Sequence, residues 1–180
     1  GLANVGIGSS ALTANTTAGS NVAVGTCAMF VNTTGANNTA IGTVALAANT
    51  TGQYNVAVGK QALQANTTAS DNVAVGTEAM QQNTTGASNT AVGKSVLTAN
   101  TTGGQNTGIG KQALDANISG ANNTAAGFDA LGANTTGESN TAIGKDALDS
   151  NTTANFNTAV GTDSLQATTT GGNNVAVGMN

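Results

Sequence analysis

One motif written over and over makes up this chain. Taking its leading Asn as position 1, the motif restarts at Asn4, Asn21, Asn38, Asn55, Asn72, Asn89, Asn106, Asn123, Asn140, Asn157 and Asn174, always 17 residues apart and never with an insertion. A fixed short period marks a solenoid, in which one repeat forms one coil and each coil packs only on its neighbours. Each side chain then lies over the same position of the coils before and after it. The 180 residues are therefore expected to form a single unit, 1–180, of about ten and a half coils, shaped as an elongated rod. The makeup is dominated by Asn, Thr, Ala and Gly, with 2% aromatic and 7% charged residues, which elsewhere can mean a flexible linker. The strict phase of the apolar positions decides against a linker here.

Positions 1 to 5 read Asn-(Val/Thr)-Ala-(Val/Ile)-Gly, as in Asn21 to Gly25, and predict a short strand closed by a turn. Position 4 is apolar in every copy, from Ile7 and Val24 to Val177, whereas position 2 is Val or Thr. Alternate strand residues share a face, so positions 2 and 4 are expected to point inward, with position 4 the deeper. Position 3, Ala except at Gly6 and Gly108, then lies on the opposite face with something packed close against it. Positions 6 to 11, such as Lys60-Gln-Ala-Leu-Gln-Ala65, hold helix formers and predict one short helical turn, with a second short strand as the alternative. The Leu or Met of position 9 is a second core row, and position 8 is again small, Ala in all but Val96 and Ser164. The fold class is thus all-β, or β with short helical turns: a parallel β-roll or β-solenoid.

Positions 12 to 15, Asn-Thr-Thr-(Gly/Ala), form a corner of residues that satisfy their own backbone and tolerate positive φ. Stacking would place Asn over Asn, so ladders of amides are expected along positions 1 and 12. Lys60, Lys94, Lys111 and Lys145 share position 6, and the acids fall at positions 7, 10, 16 and 17, all expected at the solvent side. Phe30, Tyr54, Phe128 and Phe156 fall on the same rim positions.

Several functions are disfavoured on composition. A net charge of −4 without a basic stripe gives nothing to neutralise a phosphate backbone, so no nucleic-acid partner is expected. No run of 18 apolar residues occurs, so no membrane span is expected within this segment. Without His or Arg, and with its acids on the rim, the chain offers no general base or oriented nucleophile; we expect no enzyme, no catalytic residues and no cofactor. The corners lack the Asp that calcium-binding solenoid repeats supply, so no metal ligands are assigned. Gly6-Ile7-Gly8 and its counterpart at Gly108 are position 3 turned to Gly, not a phosphate loop. Cys27 stands alone and supports no internal disulfide.

The corners are also N-glycosylation sequons, at Asn15, Asn32, Asn49, Asn66, Asn83, Asn100, Asn117, Asn134 and Asn151, against the alternative that they are turn chemistry plus an Asn ladder. Two apolar side chains per coil make a thin core against the entropy of ordering a whole repeat. Together with the small-residue rows, that predicts a homo-oligomer, a trimer first, with end-to-end stacking as the other arrangement. The sequence begins three residues before a repeat and stops at position 7 of the eleventh without an evident cap, as expected of a segment of a longer fibre.

The strands Asn-Val-Ala-Val-Gly and Asn-Thr-Ala-Ile-Gly resemble the strand motif of trimeric autotransporter adhesin heads. The whole unit, Asn-Thr-Ala-Val-Gly-x-x-Ala-Leu-x-x-Asn-Thr-Thr-Gly, resembles repeats of phage tail-fibre-like and bacterial surface-fibre proteins. The resemblance spans the chain. It implies a trimeric parallel β-roll on a cell surface or virion, extracellular, with structural or adhesive duty toward a surface carbohydrate or host receptor. The repeat is longer than that of the adhesin heads. An alternative is ice binding, since regular Thr and Asn rows on a rigid solenoid can order water, although Val and Thr mix irregularly at position 2.

Overall fold

The computed structural model describes residues 3–179. Each motif closes one coil. Among the described residues eleven three-residue strands, beginning with β1 (Val5–Ile7) and β2 (Val22–Val24) and ending with β11 (Val175–Val177), form one parallel sheet in sequential order. The register is one full repeat throughout: Val5 pairs with Val22, Gly6 with Ala23 and Ile7 with Val24, and the same holds at every later step. The molecule is an all-β, 17-residue-repeat parallel solenoid of elongated, stacked coils, as its period predicts.

The inner face of the strand is the reverse of the expected one. Position 3 points inward, with Ala23, Ala40, Ala57 and their equivalents through Ala159 fully buried, while positions 2 and 4 lie on the outside, Ile41 and Ile109 being 41% and 48% exposed. The reason is the width of the coil. Opposite position 3 stands the wall of positions 8 and 9, and a methyl built on Gly6 would already lie 3.5 Å from Leu12 Cδ1. Only Ala fits between, so the larger β-branched residues are left outside. The core is Ala of position 3, Ala of position 8 and Leu or Met of position 9, among them Met29, Leu46, Leu63, Met80 and Leu97. The small rows thus pack within one chain; they do not call for a second one.

A local exchange shows how tight this lumen is. Val96 replaces Ala at position 8, and in the next coil position 3 is Gly108, whose missing methyl would meet Val96 Cγ1 at 2.5 Å. The added volume at one residue is removed at the other.

Positions 6 to 11 are neither a helical turn nor a strand. Their residues take positive φ at positions 7 and 9, as at Cys27 (55°) and Met29 (47°), but not at Ala28 between them. Alternating the hand in this way points the amides of positions 7 and 9 in opposite directions along the rod, while that of position 8 bonds within its own coil, Ala28 N–H to Gly25 O (3.3 Å). Cys27 N–H donates to Ser9 O in the coil before (2.9 Å), and Met29 N–H donates to Ala45 O in the coil after (3.0 Å). Helix propensity, a weak prior, yields to bonding between coils. Each left-handed non-glycine residue costs about 1 kcal/mol, offset by the ladder it completes.

Position 5 cannot carry a side chain. Gly76 sits at φ 141°, and a methyl there would lie 2.2 Å from Gly93 O of the coil above.

Candidate interaction surface

With positions 3, 8 and 9 turned inward, the sheet presents positions 2 and 4 to the outside. From β2 onward position 2 reads Val22, Thr39, Val56, Val73, Thr90, Thr107, Thr124, Thr141, Thr158 and Val175, and position 4 is Val or Ile except at Ala126. No charge falls in either row. Ile41, Val75, Val92, Ile109 and Ile143 are all more than a third exposed, so the rod carries a lengthwise band of β-branched side chains. The lysines Lys60, Lys94, Lys111 and Lys145 stand exposed just beyond the end of their strands, while the exposed Asp71 and Glu138 lie just before the start of the strands that follow them.

Asparagine builds a buried corner beside the start of the strand. At position 12 each Nδ2 donates to Oδ1 of the preceding coil, Asn32 to Asn15 (2.9 Å), Asn49 to Asn32 (2.9 Å) and so on to Asn151 on Asn134 (2.9 Å). The same Nδ2 donates its second hydrogen to the carbonyl of position 15, as Asn100 to Gly103 O (3.0 Å). At position 1, Oδ1 accepts the backbone N–H of the next Asn, as Asn21 Oδ1 from Asn38 (2.9 Å), and Nδ2 reaches position 15 of its own coil. The expected ladders are therefore present, one joined side chain to side chain and the other side chain to backbone. The position 12 ladder stops at Thr168, which replaces Asn, and it leaves Asn151 Oδ1 buried without a hydrogen-bond partner.

This places the predicted sequons. Asn32, Asn49, Asn66, Asn83, Asn100, Asn117, Asn134 and Asn151 are fully buried, and Asn15 is partly so. In the folded coil the buried eight give one amide hydrogen to the ladder and the other to the position 15 carbonyl, whereas Asn15 Nδ2 donates to Ala18 O alone.

Two threonine rows flank the ladder with different fates. At position 13 the hydroxyl is used internally, Thr33 Oγ1 donating to Thr50 O (3.0 Å) and Thr84 Oγ1 to Thr101 O (2.9 Å). At position 14, Thr17, Thr34, Thr51, Thr68, Thr85, Thr102, Ser119, Thr136, Thr153 and Thr170 are all exposed, a hydroxyl row that repeats at every coil. Sequence reasoning treated the corner as one unit and missed this division; the unbroken Thr or Ser at position 14 was the available signal.

Five aspartates gather along one edge toward the C-terminal end. Asp129, Asp146 and Asp163 stack at position 7 in consecutive coils, with Asp115 and Asp149 beside them at position 10. Partial burial, then the neighbouring Asp129, raises the pKa of Asp115 and of Asp149, and burial followed by Asp146 raises that of Asp129. Lys145 pairs with Asp146, whose hydrogen bond holds the lysine above its ordinary value. Among the described residues no group of three His, Cys, Asp or Glu is placed to hold a metal ion, and no helix is long and apolar enough to cross a membrane. The four rim aromatics are exposed, but on three different rows, so the fold does not gather them into one patch. Lys111 Nζ stands 5.4 Å from the centre of the Phe128 ring.

Comparison with known protein families, with curated proteins and with solved structures finds no match to this chain.

Proposed function

We propose that this chain is a structural segment of a fibre on the surface of a cell or virion, extracellular, built from several copies laid together. One observation carries the reading. Most of the backbone hydrogen bonds and one donor of nearly every position 12 Asn join one coil to the next and stack interchangeable coils into a rod, while an uncharged band of Val, Ile and Thr runs along its outside. Rod length is then set by repeat number, which suits a spacer or shaft. Exposed apolar bands of this extent mark association surfaces. A homotrimer is the favoured assembly. Adhesion to a surface carbohydrate or receptor would fall to the rim aromatics Phe30, Tyr54, Phe128 and Phe156, and their replacement by Ser is expected to lower binding to target cells if the shaft itself is adhesive.

Mass per unit length of the purified assembly tests the fibre. Three chains per coil rise, about 4.8 Å, is the expected value, and a single chain per rise would sink the multi-chain shaft. A second reading, ice binding, is favoured by the exposed position 14 hydroxyls, a regular row that the irregular position 2 does not supply. Thermal hysteresis in a purified sample would support it, and its absence would dispose of it.

A further inference from the structure

We propose that the strand face of positions 2 and 4 is where a second copy of this chain lies, parallel to the first and coil against coil. This deepens the fibre reading and rests on it: it names the face, the occupant and the direction. A band about 50 Å long and 10–15 Å wide offers on the order of 500–700 Å², close to the ~800 Å² that each partner of a specific complex contributes. Every coil added enlarges it.

The band also lacks what isolated sheets carry against association. Solvent-facing strands are normally guarded by Lys, charges, Pro or bulges. None interrupts positions 2 and 4 from Val22 to Val177, where only Ala126 is not β-branched. The charges of the chain stand at the ends of the strands and in other rows. A partner must match ridges that repeat at every one of the eleven strands. A second copy does so by construction, so its Val, Ile and Thr side chains can interdigitate without a register mismatch accumulating.

Direction follows from the flanks. In any face-to-face pair, antiparallel rods bring like strand ends together, which sets Lys60, Lys94, Lys111 and Lys145 against the same row of the partner. Parallel rods bring opposite ends together and set those lysines beside the partner's Asp71 and Glu138 row. Glu78, Asp129, Asp146 and Asp163 follow directly at position 7, so that end is of mixed charge and its like-sign contacts alone do not exclude the antiparallel pair; the parallel one is favoured by the exposed Asp71 and Glu138 that it brings opposite the lysine row. The parallel arrangement is also the one in which coils of the same number face each other.

Sedimentation velocity on the whole chain tests the face. The wild type is expected to sediment as a dimer or trimer at micromolar concentration. Val92→Lys with Ile109→Lys should shift it to monomer with an unchanged far-ultraviolet circular dichroism spectrum, while Thr102→Lys, in the exposed hydroxyl row, should leave assembly intact. Assembly of the Val92→Lys/Ile109→Lys variant like wild type would overturn the proposal yet leave the multi-chain fibre standing, joined by another face. A wild type monomeric to millimolar concentration would overturn both. Direction is read from spin labels in a Cys27→Ser background at Thr34→Cys or at Thr102→Cys. Equal label-to-label distances at the two sites fit parallel rods; a longer distance at residue 34 than at 102 would overturn that orientation.

Discussion

At the residue scale, stability rests on side chains with no freedom of substitution. Asn100 donates to Asn83 Oδ1 (2.8 Å) and to Gly103 O (3.0 Å) and accepts from Asn117 Nδ2 (2.8 Å), all fully buried. Asn100→Ala strands an acceptor and a donor where water does not reach, at about 1–3 kcal/mol each. Urea unfolding is expected to show a loss of about 2–5 kcal/mol, against less than about 0.5 kcal/mol for Thr102→Ala two residues away on the surface. Equal effects would refute the ladder as a source of stability. The Val96 and Gly108 pair makes a second case. Gly108 lies outside the positive-φ set, so Gly108→Ala fails on space alone. It should cost about 1–3 kcal/mol by overpacking, and Val96→Ala added to it should recover most of that loss. Additive effects in this double-mutant cycle would contradict the packing.

At the scale of rows, the unit of structure is a ladder running through coils. The position 12 ladder is incomplete at Thr168, and Asn151 Oδ1 is left unpaired. Thr168→Asn supplies the missing donor and should raise stability by about 1 kcal/mol; no gain in the thermal midpoint would show that this oxygen is satisfied in solution. The acidic edge acts in the opposite sense. Asp115, Asp129 and Asp149 bind a proton more tightly in the folded chain than in the unfolded one, because burial and neighbouring carboxylates disfavour the charge. Their favourable contribution is full below the ordinary carboxylate value and is lost as pH rises through the raised values. The thermal midpoint should therefore climb on acidification from neutral toward about pH 4, less so in Asp129→Asn. A midpoint that falls over that interval would contradict the sign.

At the scale of the molecule, each coil contacts only its neighbours, so coils are exchangeable. Deleting residues 89–105, one full repeat of 17, should leave a folded rod shorter by about 4.8 Å. Deleting 89–100 instead removes twelve residues, sets Thr101 and Ile118 of position 13 and Gln112 and Asp129 of position 7 over the two Asn rows, and should unfold the chain beyond the cut, as circular dichroism and small-angle scattering would report. Folding of both variants to similar stability would mean that register is not what holds the coils.

The period by itself determined the solenoid, its repeat, the in-register stacking, and the Asn ladders, because a fixed interval forces like residues over like. It also placed Leu and Met of position 9 in the core. Tertiary structure alone decided which side of the strand faces in. Period-2 alternation separates positions 2 and 4 from position 3 but carries no sign, and hydropathy favoured Val and Ile over Ala. The narrow lumen reversed that order, since Leu12 and its equivalents leave room for a methyl and no more. The same closeness between coils turned positions 6 to 11 into alternating-hand turns, where amides bond along the rod and local helix propensity has nothing to act on.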